Sequence, residues 1–182
     1  GKGHWDLKNA KYQPILALAE HGKTFCWKRL EKKLKIYKDW PIMHYGETEL
    51  ISLIRLAKTQ GIEEKELSIF TNRFIDIHSR LRLHWRLPLH SYGLKTVANW
   101  AGFKWHQNGA NGARALLWWR QWSRQKGNQS SRRNALKWLL KYNQDDCLAT
   151  WSVAEWLIKK DSALEKASFR IDQECQQNQE EP

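Results

Sequence analysis

The sequence of 182 residues has few cysteines and no long apolar run. Its three cysteines, Cys26, Cys147 and Cys175, are odd in number and form no Cys-x-x-Cys pair. This pattern argues against a disulfide framework and a zinc ribbon, and it favours a reducing, cytoplasmic setting. Because no apolar stretch is long enough to span a bilayer and no signal peptide is visible, we expect a soluble domain without a membrane partner.

Acidic residues are also scarce relative to basic ones. Asp and Glu number 19 against 31 Lys and Arg, which gives a formal net charge of +12. So large an excess favours polyanionic partners, nucleic acid first, and a basic surface that merely aids solubility is the alternative. The 12 tryptophans are expected mainly in the core, with some as platforms on which bases stack.

Methionine occurs once, at Met43, and the chain opens at Gly1, so we expect the sequence to be part of a longer protein. Its length suits a single domain with a sizeable core. We predict that this domain covers residues 1–160. Residues 161–182 are mostly polar and predict a disordered tail.

Apolar runs and helical periods alternate along the chain, which predicts an α/β fold. Short strands are predicted at residues 14–19, 41–45 and 73–77. Helices are predicted at residues 25–38, 47–60, 92–100, 113–124 and 136–157, with Ser91 as the cap of the third. Residues 127–133 predict a polar, basic loop in which Arg132 and Arg133 can meet phosphates.

Tyr142 and Asp146 are the first candidates for a functional site. They lie four residues apart in a predicted helix, so they share a face and can share a ligand. Alone, the pair also fits an ordinary helix in which the Asp is a cap or a solvated charge. Glu49 lies in the first turn of a helix after a predicted strand, where α/β proteins place functional groups; an acid that complements the helix dipole is the alternative.

Two further polar residues fit supporting roles. Asp76 ends an apolar run and needs a partner, which predicts either a hydrogen-bonding role beside the site or a solvated strand end. Lys95 lies near the start of a helix, where its charge opposes the helix dipole. It is explained either by a phosphate contact or as an exposed lysine.

Three segments stand in a recognisable order. They are Pro-Ile-Met-His-Tyr-Gly-Glu-Thr-Glu at 41–49, Arg-Phe-Ile-Asp-Ile at 73–77 with Ser-Tyr-Gly-Leu-Lys at 91–95, and Tyr-Asn-Gln-Asp-Asp-Cys-Leu-Ala-Thr at 142–150. With Gly-Phe-x-Trp at 102–105, they resemble the RNase H-like exonuclease domain of the YprB type, especially the version that ends RecB-like nucleases. The resemblance covers about residues 17–156 and implies an RNase H-like fold, here helix-rich with a reduced sheet flanked by helices.

The resemblance implies a branch of the DEDD exonucleases, which are two-metal 3′-5′ enzymes that use Mg²⁺ or Mn²⁺ and four carboxylates. It implies Glu49 and Asp146 as metal ligands and Tyr142 as the residue that orients the attacking water. Supporting positions are assigned to His44, Asp76 and Asp145. Asp145 is also a geometric alternative to Asp146, because the two flank Tyr142 around the helix axis.

One part of the family's pattern is absent. Its first motif is an Asp-x-Glu on the first strand, and the carboxylates before Glu49 form neither Asp-x-Glu nor Asp-x-Asp. One hypothesis is a nuclease domain completed by a missing N-terminal segment or by a nuclease or helicase domain of the same protein. The second is an inactive or truncated module that binds nucleic acid, DNA or RNA. A helical protein-interaction domain is a third, but it leaves the acidic motifs unexplained.

Overall fold

The computed structural model describes residues 10–16, 22–107, 109–124 and 128–177, with side chains through residue 160. In chain order its elements are α1 (Gly22–Ile36), β1 (Ile42–His44), α2 (Thr48–Thr59), α3 (Glu64–Thr71), β2 (Phe74–Asp76), α4 (Ile77–His84), α5 (Leu94–Trp100), α6 (Gly112–Ser123) and α7 (Gln129–Gln177). The predicted α/β class is confirmed, with helices in the majority. None of the described helices combines the length and the apolar character of a membrane-spanning segment.

The two described strands form a small parallel sheet. Ile42 lies opposite Phe74, and His44 lies opposite Asp76. The helices α2 and α3 connect the strands, because a parallel pair needs a crossover rather than a tight turn. Side chains alternate between the two faces of a strand, so Ile42 and Met43 pack into different apolar clusters. Helices therefore cover both faces of the sheet.

The first cluster packs α4, α5 and α7 against one face of the sheet. Its buried side chains are Ile77, Leu81, Val97, Ala98, Ala149, Val153, Ala154 and Leu157. On α7 these positions recur at helical spacing, which gives this helix one apolar face. Full burial of a side chain such as Val153 contributes about 1.5–3 kcal/mol, so this face fixes the rotation of α7 about its axis.

The second cluster packs α1, α2 and α3 against the other face of the sheet. Its buried side chains are Trp27, Leu34, Ala57, Leu67 and Phe70. The rings of Trp27 and Phe70 meet edge to face, with centroids 6.3 Å apart. This cluster holds α2 in the position from which its first turn reaches the site described below.

Several predictions of local structure are wrong. Residues 14–16 form no strand, and residues 17–19 of that predicted strand lie outside the described residues. Ser91 is not the cap of α5: the helix starts after Gly93, whose N–H donates to the Ser91 hydroxyl at 3.1 Å. Residues 129–133 are helical rather than a loop, because the side chain of Asn128 accepts from the Ser130 N–H at 2.8 Å and starts α7 there.

The backbone of α7 continues to Gln177, past the predicted domain boundary at residue 160. Good helix formers occur in this stretch, among them Ala163, Leu164 and Ala167. Local propensity therefore explains helix where polar composition predicts a disordered tail. The boundary itself stays a prediction.

Candidate active site

A cleft of about 680 Å³ lies where the end of β1, the first turn of α2, the start of α5 and the middle of α7 meet. It brings together five of the predicted site residues from three separate segments. These are His44, Glu49, Lys95, Tyr142 and Asp146. The cleft is also lined by the whole of β1 and by Phe74 at the start of β2.

The polar face of α7 forms one wall of this cleft. Tyr142, Asp146 and Thr150 follow one another at intervals of one helical turn, and Asn143 lies beside them. The Thr150 hydroxyl donates to the Asp146 carbonyl at 3.0 Å. The predicted shared face of Tyr142 and Asp146 is thus observed. The cleft wall lies on a helix whose other face is buried in the first cluster.

Asp146 is electrostatically perturbed. Burial raises the pKa of its carboxyl to about 6. A hydrogen bond with Tyr142 and the positive charge of Lys95 act against this rise, whereas the negative charges of Asp145 and Glu49 add to it. A carboxyl whose pKa is shifted by both burial and specific charged neighbours is a candidate for a functional role.

Tyr142 remains protonated at neutral pH. Burial and the neighbouring charge of Asp146 raise the pKa of its hydroxyl to about 12. The phenol can therefore donate a hydrogen bond to a carboxylate or a water while its oxygen accepts another.

Lys95 is held at the edge of the cleft. Its Nζ lies 5.5 Å from the centroid of the Trp105 ring, which is a cation–π arrangement. The Trp105 Nε1–H in turn donates to Asn99 at 2.7 Å. The tryptophan of the Gly-Phe-x-Trp motif thus orients a lysine whose charge also acts on Asp146.

His44 and Asp76 hold the turn between β1 and α2. The Nδ1–H of His44 donates to the Gly46 carbonyl, and Asp76 accepts from the Gly46 N–H at 2.9 Å. Gly46 has φ +87, a conformation that favours glycine. This turn leads directly to Glu49, so both residues hold the backbone that precedes it. His44 also lines the cleft, whereas Asp76 does not. Their supporting roles in function stay predictions.

Asp76 also caps α4, accepting from the His78 N–H at 2.9 Å and from the Ser79 hydroxyl at 2.6 Å. Burial raises the pKa of Asp76, but hydrogen bonds from the Ser79 hydroxyl and from the N–H groups of Gly46, Ser79 and His78 lower it by more. The net pKa lies below its ordinary value. The ionised carboxylate therefore stabilises the fold.

Replacing Asp76 with Ala is expected to lower the free energy of unfolding by about 2 kcal/mol at neutral pH, because a helix cap and the clasp on Gly46 are lost together. Since the folded pKa lies below the unfolded one, this contribution is present above about pH 4 and is lost as the pH falls through the folded value. Urea unfolding of wild type and variant, at neutral pH and well below about pH 4, measures this contribution. Asp39→Ala, at an exposed turn, is the control. A stability difference that persists unchanged in acid would contradict this reasoning.

Asp145 faces away from the cleft. It is 1% exposed, accepts from the N–H groups of His106 at 3.1 Å and Gln107 at 3.3 Å, and pairs with His106 Nδ1 at 2.7 Å. Sequence geometry leaves Asp145 and Asp146 as alternatives, but only Asp146 lines the cleft. Asp145 anchors the loop before α6, and its charge adds to the rise in the pKa of Asp146. Its supporting role in function stays a prediction.

Arg132 and Arg133 lie outside the cleft, in the first turns of α7 rather than in a loop. The Nε–H of Arg132 donates to the Trp122 carbonyl at 3.0 Å, which fastens α7 to the end of α6. Arg133 is exposed. Contact of either residue with phosphate stays a prediction.

Some cleft residues are missed by the sequence interpretation. Asn143 and Thr150 follow from extending the helical period of Tyr142, but Asn111, the cap of α6, carries no sequence signal that links it to the cleft. Cys147 also lines the cleft. Burial and the charges of Asp146 and Glu49 raise the pKa of its thiol, which disfavours a thiolate nucleophile at neutral pH.

The cleft contains two carboxylates of the chemical type that binds a hard divalent cation. Mg²⁺ is commonly held by one or two carboxylates, with water and substrate phosphate as its other ligands, and Glu49 and Asp146 supply two. Burial is the main cause of the raised pKa of Asp146, and a cation would relieve the smaller contribution from the repulsion by Asp145 and Glu49. In the described ranges, no group of three or more His, Cys, Asp or Glu is positioned to hold a metal. The four carboxylates of a two-metal centre are therefore not found there.

Comparison with known proteins identifies the family. A family model of the RNase H superfamily matches residues 1–158, most of the chain. No curated protein and no solved structure gives a significant match. Members of the superfamily are nuclease-like hydrolases of nucleic acid and generally use divalent metals. The match, together with the α/β fold and its acidic cleft, means that this chain belongs to the RNase H superfamily.

Proposed function

We propose that the cleft hydrolyses phosphodiester bonds of nucleic acid, as a 3′-5′ exonuclease domain of the YprB-type DEDD branch. The observation that supports it best is the convergence of two carboxylates, a phenol and an ammonium in one cleft of an RNase H superfamily chain. A net charge of +12 suits a polyanionic substrate.

Each polar group has a distinct role in this proposal. Glu49 and Asp146 hold Mg²⁺ or Mn²⁺, which when bound stabilises the negative charge that develops on the phosphate. Tyr142, protonated at neutral pH, orients the attacking water by a hydrogen bond. Lys95 contributes a fixed positive charge at the edge of the cleft and stabilises the phosphoryl oxygens.

The proposed enzyme needs further acidic ligands for a second cation. In the YprB-type family, an Asp-x-Glu strand supplies them. We propose that a preceding segment of the same protein, or an associated nuclease or helicase domain, contributes this strand.

Metal-dependent degradation of single strands tests the proposal. When the segment that supplies the further acidic ligands is present, we expect a 5′-labelled DNA or RNA oligonucleotide to shorten from its 3′ end with Mg²⁺ or Mn²⁺. We expect it to remain intact in EDTA, because without a cation the negative carboxylates repel the phosphate. Gel electrophoresis of the products measures polarity and rate. Degradation that continues undiminished in EDTA would contradict the proposed chemistry.

Nucleic-acid binding without hydrolysis is the second candidate function. It is favoured by the excess of basic charge, which does not depend on the cleft. Binding that weakens steeply with salt, with no shortening of the strand under any metal condition, would support this candidate over the first.

A further inference from the structure

The hairpin formed by α6 and the first part of α7, up to Asp145, is strongly basic. The sequence has no Asp or Glu between Asp76 and Asp145. The described basic residues of the hairpin before Asp145 are Arg114, Arg120, Arg124, Arg132, Arg133, Lys137 and Lys141. None of them takes part in an ion pair in the part of the chain that the structure describes. Such a surface attracts polyanions.

The same hairpin exposes aromatic rings. Trp118 of α6 and Trp138 of α7 stack with an interplanar angle of 23° and centroids 6.4 Å apart. Trp138 is 48% exposed, and α6 has no buried residue. Aromatic faces interleaved with arginine and lysine are typical of surfaces that bind single-stranded nucleic acid.

A pocket of about 490 Å³ opens beside these two rings. It is lined by His106, Gln107, Ala110, Arg114, Trp118 and Trp138. Gln107 is 8% exposed, and its Nε2 donates to the Trp138 carbonyl at 3.1 Å. Its Oε1 is buried and has no hydrogen-bond partner among the described residues. Gln107 thus lines the pocket and carries a buried acceptor that the described residues leave unsatisfied.

The pocket adjoins the catalytic cleft. Asn111 and Gly112, at the start of α6, line the cleft, whereas Ala110 and Arg114 line the pocket. The ring of Trp118 also meets the ring of Tyr142 at an angle of 61°, with centroids 6.5 Å apart. One aromatic ring thus separates the pocket from the proposed catalytic tyrosine.

We propose that this pocket binds a nucleobase of a single-stranded nucleic acid whose neighbouring phosphate lies in the cleft. Trp138 and Trp118 supply the stacking surfaces, and Arg114 meets the backbone. An unpaired strand is required, because a base within a duplex cannot leave its stack without cost. The choice of ligand rests on the proposed function, but binding at the pocket is separate from hydrolysis.

Fluorescence anisotropy with short labelled strands of DNA and of RNA, in EDTA so that no strand is degraded, tests this inference on the full chain. Trp138→Ala is expected to weaken single-strand binding about tenfold or more, and Trp138→Phe only slightly, because the phenyl ring still stacks. Trp119→Ala is the matched control, since Trp119 is exposed on the same hairpin, pairs with Trp122 and does not line the pocket. Binding of a duplex is expected to be insensitive to Trp138→Ala.

A second pair of variants tests the pocket without changing Trp138. Arg114→Glu, in the pocket, is expected to weaken single-strand binding several-fold more than Arg124→Glu, at the end of α6 outside it. Both residues are exposed, so the fold should tolerate either change. Thermal unfolding of each variant checks this.

The outcomes separate this inference from the proposed function. Single-strand binding unaffected by Trp138→Ala, or equal weakening by the two arginine variants, overturns the pocket, while hydrolysis by wild type still upholds the enzyme. Binding that depends on Trp138 without any hydrolysis, even when the segment with the further acidic ligands is supplied, upholds the pocket and contradicts the enzyme. Equal loss of single-strand and duplex binding in Trp138→Ala also overturns the pocket, and so does failure of wild type to bind single strands of DNA and of RNA.

Discussion

Asp146→Asn is expected to reduce metal-dependent hydrolysis at least about a hundredfold while the domain stays folded. Changes to groups that only orient a metal ligand typically cost about 10- to 100-fold, and loss of a ligand itself costs more. The amide keeps the size of the side chain but removes the charge that holds the cation. Rates of strand shortening at saturating Mg²⁺ measure the effect.

The same substitution is expected to raise stability in the metal-free protein. Folding raises the pKa of Asp146 to about 6, above its unfolded value near 4, so the ionised carboxylate opposes folding. This cost is absent below about pH 4, grows between about pH 4 and 6, and is complete at neutral pH. Urea unfolding in EDTA should give the variant a higher free energy of unfolding than wild type at neutral pH. This difference should vanish in acid.

Glu155→Gln is the control for both measurements. Glu155 is an acid on the same helix, outside the cleft, paired with Lys159 at 2.6 Å on the surface. The substitution Glu155→Gln removes one negative charge without changing a cleft residue, so it should leave hydrolysis unchanged. An Asp146→Asn variant that degrades single strands at the rate of Glu155→Gln would refute the assignment of Asp146 as a ligand.

The neighbouring carboxylate should behave in the opposite way: Asp145→Ala is expected to lower the free energy of unfolding by about 3 kcal/mol. The substitution leaves the buried N–H groups of His106 and Gln107 without their acceptor. It also removes the contact with the His106 ring. Urea unfolding monitored by circular dichroism measures the loss.

Asp145→Asn supplies the graded comparison for that prediction. The amide oxygen can still accept from one or both N–H groups, so this variant should fall between Asp145→Ala and wild type. Under conditions where each protein is folded, hydrolysis should survive in both, because Asp145 does not line the cleft. If Asp145→Ala has the same free energy of unfolding as wild type, the loop before α6 does not depend on this carboxylate.

Local signals explain which parts of the fold are predictable. Gly46 and Gly61 mark the ends of β1 and of α2, and both elements are predicted to within about two residues. The short helices α3 and α4 are not predicted, because each spans only eight residues and is stabilised by the apolar clusters rather than by its own pattern. Arg132 and Arg133 are assigned to a loop because the polar composition of the segment outweighs the cap at Asn128.

Tertiary contacts decide the parts of the site that sequence leaves open. Helical periodicity suffices to bring Tyr142 and Asp146 to one face, and the strand-to-helix turn suffices for Glu49. Helical periodicity cannot decide between Asp145 and Asp146, because both flank Tyr142 around the helix axis. It depends on where the backbone N–H groups of residues 106 and 107 lie, and these belong to a distant loop. The pocket between Trp118 and Trp138 likewise arises only when α6 packs on α7.

The single helix α7 carries both the apolar face buried in the first cluster and the polar wall of the cleft. The rotation of α7 about its axis therefore determines both which side chains are buried and which line the cleft. One residue inserted between Asp146 and Val153 would rotate one face about 100° relative to the other. Either Val153 could then pack in the core or Asp146 could face the cleft, but not both. A change of length inside that interval is consequently incompatible with the proposed activity.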